Sequence, residues 1–178
     1  IMPSLVGSEM CKETGIIQTN AENLLTYING ILELSRLESG KIKYDKEACD
    51  IVQFCHQILQ TINIKEGSVL TVTLQTDVES QWIHTDQKWF ETLFVSLLTP
   101  LENDTEQSRV VVRLKRDTAK SLLIFNVINS PLAKVRFENK TSLIRHEINA
   151  HFIHYFGGIY KVQAETEEGP SISFTIPL

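Results

Sequence analysis

The chain has 178 residues, of which 42% are apolar, enough to fill the core of one ordinary domain with a helical appendage. Its 17 basic and 22 acidic residues give a net charge of -5 with no basic cluster, which excludes a surface built to attract a nucleic-acid backbone. No apolar run approaches the ~20 residues that a bilayer span requires, and Cys11, Cys49 and Cys55, without a CxxC pair, argue against a disulfide framework or structural zinc.

From Glu9 to Glu38, Ile16, Ile17, Leu24, Leu25, Ile28, Ile31, Leu32, Leu34 and Leu37 recur at helical spacing and predict a long amphipathic helix. Gly15 and Gly30 each weaken it by about 1 kcal/mol relative to alanine, so its stability must come from burying the apolar stripe against another helix. No second long helix of this kind follows, which places the partner upstream in a longer parent chain or in a second copy. Ser39-Gly40 supplies a left-handed C-terminal cap, and Lys41-Ile42-Lys43-Tyr44 then alternates as a short strand would.

Asp50 is a natural N-cap for a helix over Ile51 to Ile62. Strands are predicted over Leu70 to Gln75 and Gln81 to His84, and Asp86 caps a helix running to about Glu102. A hairpin of Arg109 to Arg116 and Leu122 to Val127 follows, then a loop from Ser130 to Lys140 and a helix over Ser142 to Phe156, stopped by Gly157-Gly158. Strands over Ile159 to Glu165 and Ser171 to Ile176 close the chain. This order predicts an α+β fold, a two-layer α/β sandwich with a mixed sheet and helices on one face. One boundary, near Gly40, divides a helical region, 1–40, from a compact domain, 41–178.

Several segments resemble the sensor histidine kinases. Leu32-Glu33-Leu34-Ser35-Arg36-Leu37-Glu38-Ser39-Gly40-Lys41 is similar to the family's "DLSRIESGK", the end of the second helix of its dimerisation and histidine-phosphotransfer hairpin. The stretch from Asp86 to Leu98 resembles "DPxRLxQVLxNLL", His154-Tyr155-Phe156-Gly157-Gly158-Ile159 resembles "ELHGGxI", and Ser171 to Leu178 resembles "GSTFTFTLPL". The resemblance implies the ATP-binding sandwich of that family, preceded by a dimerisation-type helix, in a cytoplasmic segment of a bacterial inner-membrane protein. It also implies a homodimer through the helix over 9–38, and a receiver domain or cognate kinase of a phosphorelay as partner.

The nucleotide motifs depart from the pattern. Where the family holds Mg²⁺ with the asparagine of "NLLxNAxKFT", this chain has Pro100, which offers no ligand, and the first asparagine of that motif is Ser96. The "DxGxG" that reads adenine becomes Asn129-Ser130-Pro131-Leu132-Ala133, in which Asn129 can still accept a hydrogen bond but the glycines are gone. The phosphate-receiving "GxGLxIV" becomes Leu143 to Asn149 without glycine. These losses predict a catalytically inactive, kinase-like interaction platform that takes no cofactor and no metal, with Ser96, Pro100 and Asn129 as remnant pocket positions. The alternative is a divergent but active ATP-dependent sensor histidine kinase that uses Asn129 for adenine and Glu102 or Asp104 for the metal.

Other signals have plainer readings. His146-Glu147-Ile148-Asn149-Ala150-His151 departs from HExxH by one residue, which takes the second histidine off the face of the first. His151, His154 and His56 read as ordinary helix histidines. Trp82, Trp89 and Phe90 read as core.

Overall fold

The computed structural model describes residues 24–25, 28–40, 43–63, 70–99, 108–134, 140–163 and 166–178. In chain order its elements are helix α1 over residues 28–38, β1 (Glu47–Asp50), α2 (Ile51–Asn63), β2 (Leu70–Thr76), β3 (Trp82–Thr85), α3 (Gln87–Leu98), β4 (Ser108–Asp117), β5 (Leu122–Ile128), α4 (Pro131–Lys134), α5 (Lys140–Tyr155), β6 (Tyr160–Gln163) and β7 (Ser171–Pro177). Cys11 and the stretch 9–23 of the expected long helix lie outside the described residues.

A five-stranded sheet in the order β2-β4-β5-β7-β6 forms the frame, with β2 parallel to β4 and every other pair antiparallel. Alternation along the strands explains its two faces. Val110, Val112 and Leu114 of β4, Leu123, Phe125 and Val127 of β5, and Ile172, Phe174 and Ile176 of β7 are buried beneath the helices. Thr71, Thr73, Arg109 and Lys115, on the intervening positions, are exposed. The parallel pairing of β2 with β4 requires a crossover, and α3 lies in it.

The core is built around phenylalanine. Phe90 and Phe94 of α3 stack with ring centroids 5.3 Å apart, and both rings meet Phe125. Phe125 in turn stacks on its register partner Phe174 at 4.6 Å. Each such side chain stabilises the fold by roughly 1.5–3 kcal/mol through burial. Phe90 is thus core, as its sequence position predicts, and Trp89 is half-buried, but Trp82 is 66% exposed. The reason is register: β3 points Ile83 inward, which turns its neighbour Trp82 to solvent.

Capping fixes both central helices. Asp50 Oδ1 accepts from the amides of Val52 at 3.1 Å and Gln81 at 3.2 Å, while Oδ2 accepts from the Ser80 hydroxyl at 2.6 Å. Burial works to raise this carboxyl, but the hydrogen bonds from Ser80, Gln81, Gln53 and Val52 outweigh it and hold the group below its ordinary range. Asp86 caps α3 by accepting from the Trp89 amide at 3.1 Å.

Three expectations need correction. The first strand is Glu47–Asp50, paired with β3, because residues 43–46 have no strand partner and Tyr44 instead joins an aromatic cluster. The helix after Asp86 ends at Leu98: Thr99 is extended, with φ -79 and ψ 128, as a residue preceding proline favours. Within the expected loop from Ser130, Pro131 opens one helical turn, closed by the Ala133 and Lys134 amides donating to the Ser130 carbonyl. The cap at the end of α1 is as expected, with Gly40 at φ +65.

Candidate functional site

A cleft of about 490 Å³ opens between α3 and α5. Its α3 wall carries Glu91, Thr92, Val95, Ser96 and Thr99, and its α5 wall Arg145, Ile148 and Asn149. Helix periodicity produces these walls: residues 92, 96 and 99 return to one face of α3, opposite Phe90, Phe94 and Leu97 on the core face. On α5, residues 145, 148 and 149 do the same. Glu33 of α1 also lines the cleft, and α1 approaches α5 closely at Gly30, where a Cβ would meet the Ile144 side chain at 2.7 Å.

The lining is mostly apolar, but a polar link crosses it. Asn149, 2% exposed, donates from Nδ2 to Ser96 Oγ at 3.2 Å. Behind it, the Tyr160 hydroxyl lies 2.8 Å from Nδ1 of the buried His146. Burial pushes the Tyr160 phenol well up, a rise that hydrogen bonding with Asn149 partly opposes. Burial also lowers His146, against a smaller opposing effect from a backbone hydrogen bond with Leu132. His146 is therefore a buried hydrogen-bonding residue joining α5 to β6.

At the end of β5 the Ser130 hydroxyl donates to the Leu97 carbonyl at 2.7 Å, tying that strand to the last turn of α3. Asn129, the preceding residue, adopts φ +57 and donates its amide to the Pro170 carbonyl at 2.8 Å. Its side chain lies against Gly169, where any Cβ would collide with Asn129 Oδ1. Pro131 and Ala133, which replace the two glycines of the resembled motif, are buried in α4, and Ala133 belongs to the core.

The structure thus places Ser96 on the cleft and Asn129 beside the β6–β7 turn. Pro100, Glu102 and Asp104 lie outside the described residues. His56 and His154 are exposed and His151 is half-buried, and among the described residues no three His, Cys, Asp or Glu side chains gather as a metal-binding group. Cys49 and Cys55 are buried with burial raising both thiols, Cys55 far above the ordinary range. Sequence reasoning missed Asn149, Arg145 and Tyr160. The polar stripe Thr92-Ser96-Thr99 on an otherwise apolar helix was the signal that could have located the cleft.

No family model matches the chain. The hybrid signal transduction histidine kinase B of Dictyostelium discoideum is 24% identical over 186 residues, which is 90% of this chain but only 9% of that protein. Full-length ShkA in complex with AMPPNP superposes with a TM-score of 0.68 at 15% identity, over 95% of this chain and 39% of that one. Histidine kinase ThkA in complex with the response regulator TrrA gives 0.67 at 16% identity, over 93% and 50%.

The fold is accordingly that of the histidine-kinase ATP-binding domain, as the sequence predicts. The expectation of a non-enzymatic domain is corrected by the same findings: the chains similar to this one are histidine kinases, which are enzymes. The lost motifs of the sequence are individual positions on a scaffold that is kept throughout, and they outweighed the scaffold in the sequence reading. Among the described residues no helix is long and apolar enough to cross a membrane.

Proposed function

We propose that this chain is a divergent ATP-dependent sensor-histidine-kinase domain acting in two-component signalling, which takes nucleotide in the cleft between α3 and α5. The observation that carries this reading is the cleft itself: it is an open space between two helices on a fold of the kinase ATP-binding type, with Arg145 and several hydroxyls set in a mostly apolar lining. Its described residues divide the work. The Arg145 guanidinium supplies positive charge for phosphate, the Thr92 and Thr99 hydroxyls supply hydrogen bonds, and Val95 and Ile148 supply apolar surface.

A Mg²⁺ accompanying a triphosphate asks for one or two protein oxygens, the rest coming from phosphate and water. The cleft's oxygen donors, Glu33, Glu91 and the Asn149 carboxamide, are hard ligands of that kind. When bound, the metal would offset charge on the phosphates; the chain's own side chains position the nucleotide and hold water from its apolar side.

The division at Gly40, pairing with a second copy through α1, a response-regulator partner, and a place in a cytoplasmic segment of a membrane-anchored protein belong to the same proposal. Pairing is supported by the exposure of Leu24, Leu25, Ile28, Ile31 and Leu32. The regulator partner is supported by the ThkA–TrrA complex.

The test is titration calorimetry of the folded protein with ATP, with and without Mg²⁺. Saturable, magnesium-dependent heat is expected, weakened roughly tenfold by Arg145→Ala as a charge-assisted contact is lost. No heat at high nucleotide from folded protein overturns the reading.

A further inference from the structure

We propose that the hydrogen bond between Ser96 and Asn149 is a clasp that holds α3 against α5 and sets how far the cleft opens to a phosphate-bearing ligand. The proposal deepens the nucleotide reading and rests on it for the identity of the ligand. Both residues line the same cavity, so the 3.2 Å bond between them spans the space a ligand would enter.

The two ends of the clasp are held unequally. Asn149 is almost fully buried, with His146, one turn earlier on α5, bonded to Tyr160 of β6. Ser96, half-buried, belongs to the last turn of α3, beyond which the backbone turns extended at Thr99. The Ser130–Leu97 bond ties the same turn to β5, so it is the Ser96 side chain and the cleft edge of this turn, not the whole helix, that yields when the clasp opens.

Chemistry makes the exchange favourable. A hydroxyl and a carboxamide bond one another as neutral groups, whereas a phosphate oxygen accepts from the same carboxamide in a stronger, charge-assisted bond. Entry of phosphate thus replaces the clasp with a better bond, and in the ligand's absence the clasp keeps the buried carboxamide satisfied.

The experiment compares the 178-residue protein with its Ser96→Ala and Ser96→Thr variants, by amide hydrogen exchange without ligand and by calorimetry with Mg²⁺ and AMPPNP. Ser96→Ala should speed exchange in the last turn of α3 several-fold and tighten AMPPNP binding about fivefold, the weight of one neutral hydrogen bond. Ser96→Thr, which keeps the hydroxyl, should restore wild-type behaviour in both. Exchange that Ser96→Ala leaves unchanged overturns the clasp, as does AMPPNP binding that is unchanged or weaker in that variant; wild-type binding would then leave the nucleotide reading standing. Absence of AMPPNP binding in every variant overturns the nucleotide reading, and faster exchange in Ser96→Ala alone would still sustain the clasp.

Discussion

Asp86 Oδ2 accepts a hydrogen bond from the Asp45 amide at 2.8 Å while Oδ1 caps α3 through the Trp89 amide. One carboxylate, 6% exposed, thus starts a helix of the cleft and fastens to it the segment that arrives from α1. Asp86→Ala removes both bonds. It should cost about 2 kcal/mol, a cap's usual ~1 kcal/mol plus the unpaired Asp45 amide, as a fall in the urea midpoint with unchanged slope. Asp86→Asn, which can still cap, should lose less.

Tyr44 lies in the same place. Its ring is 3.9 Å from that of Tyr155 and contacts Trp89, Phe152 and Phe156, and the Lys46 ammonium lies 4.8 Å from the Phe156 centroid. The Tyr44 hydroxyl is buried with no hydrogen-bond partner among the described residues. Tyr44→Phe should therefore be neutral or stabilise by up to ~1 kcal/mol, and Tyr44→Ala should destabilise by roughly 2 kcal/mol. Thermal unfolding of the pair checks this; an equal loss in both would place the energy in the hydroxyl and refute the packing argument.

A pH dependence follows from His146. Its imidazole is buried and lowered from the ordinary value of 6.5, so the unfolded chain takes up the proton first as pH falls. The contribution to stability is complete above about 6.5 and is lost as pH drops through the lower folded value. Urea midpoints measured from pH 8 to 5 should decline below that point, and His146→Gln should flatten this part of the profile.

Gly158 and Gly40 make a contrasting pair. A Cβ on Gly158 would drive into the Thr175 carbonyl oxygen and the Ile153 side chain, whereas Gly40 faces open space and needs glycine only for φ +65. Gly158→Ala should cost about 3 kcal/mol, at the upper end of overpacking, and Gly40→Ala about 1 kcal/mol, the left-handed backbone alone. Chemical denaturation of both variants distinguishes close approach from conformation.

The sheet and its helices were legible in the sequence because their signals are local. Alternation marked β4, β5 and β7, and Asp50 and Asp86 announced α2 and α3 through capping chemistry. Strand β1 was misplaced because Glu47–Asp50 lacks alternation and exists only by pairing with β3, 35 residues or so along the chain, a non-local fact. Ser96 was found by resemblance, but Asn149 was not, since its role depends on α5 lying across from α3. Motif losses at Pro131 and Ala133 were visible, and they outweighed a scaffold that the sequence had also made recognisable, because a motif records single positions and not how much of the fold is kept around them.

The parallel pairing of β2 with β4 carries a consequence for the order of assembly. Strands β4 and β5 join across the turn from Thr118 to Ser121, a short loop whose closure costs little entropy. Register between Leu70 and Ser108 instead requires some 38 residues, including α3, to be gathered first. The β4–β5 hairpin is therefore the natural nucleus, and β2 arrives late, as does β7, whose Phe174 must reach Phe125 across some 49 residues. Substitutions in the hairpin should slow folding, whereas those in β2 should chiefly hasten unfolding.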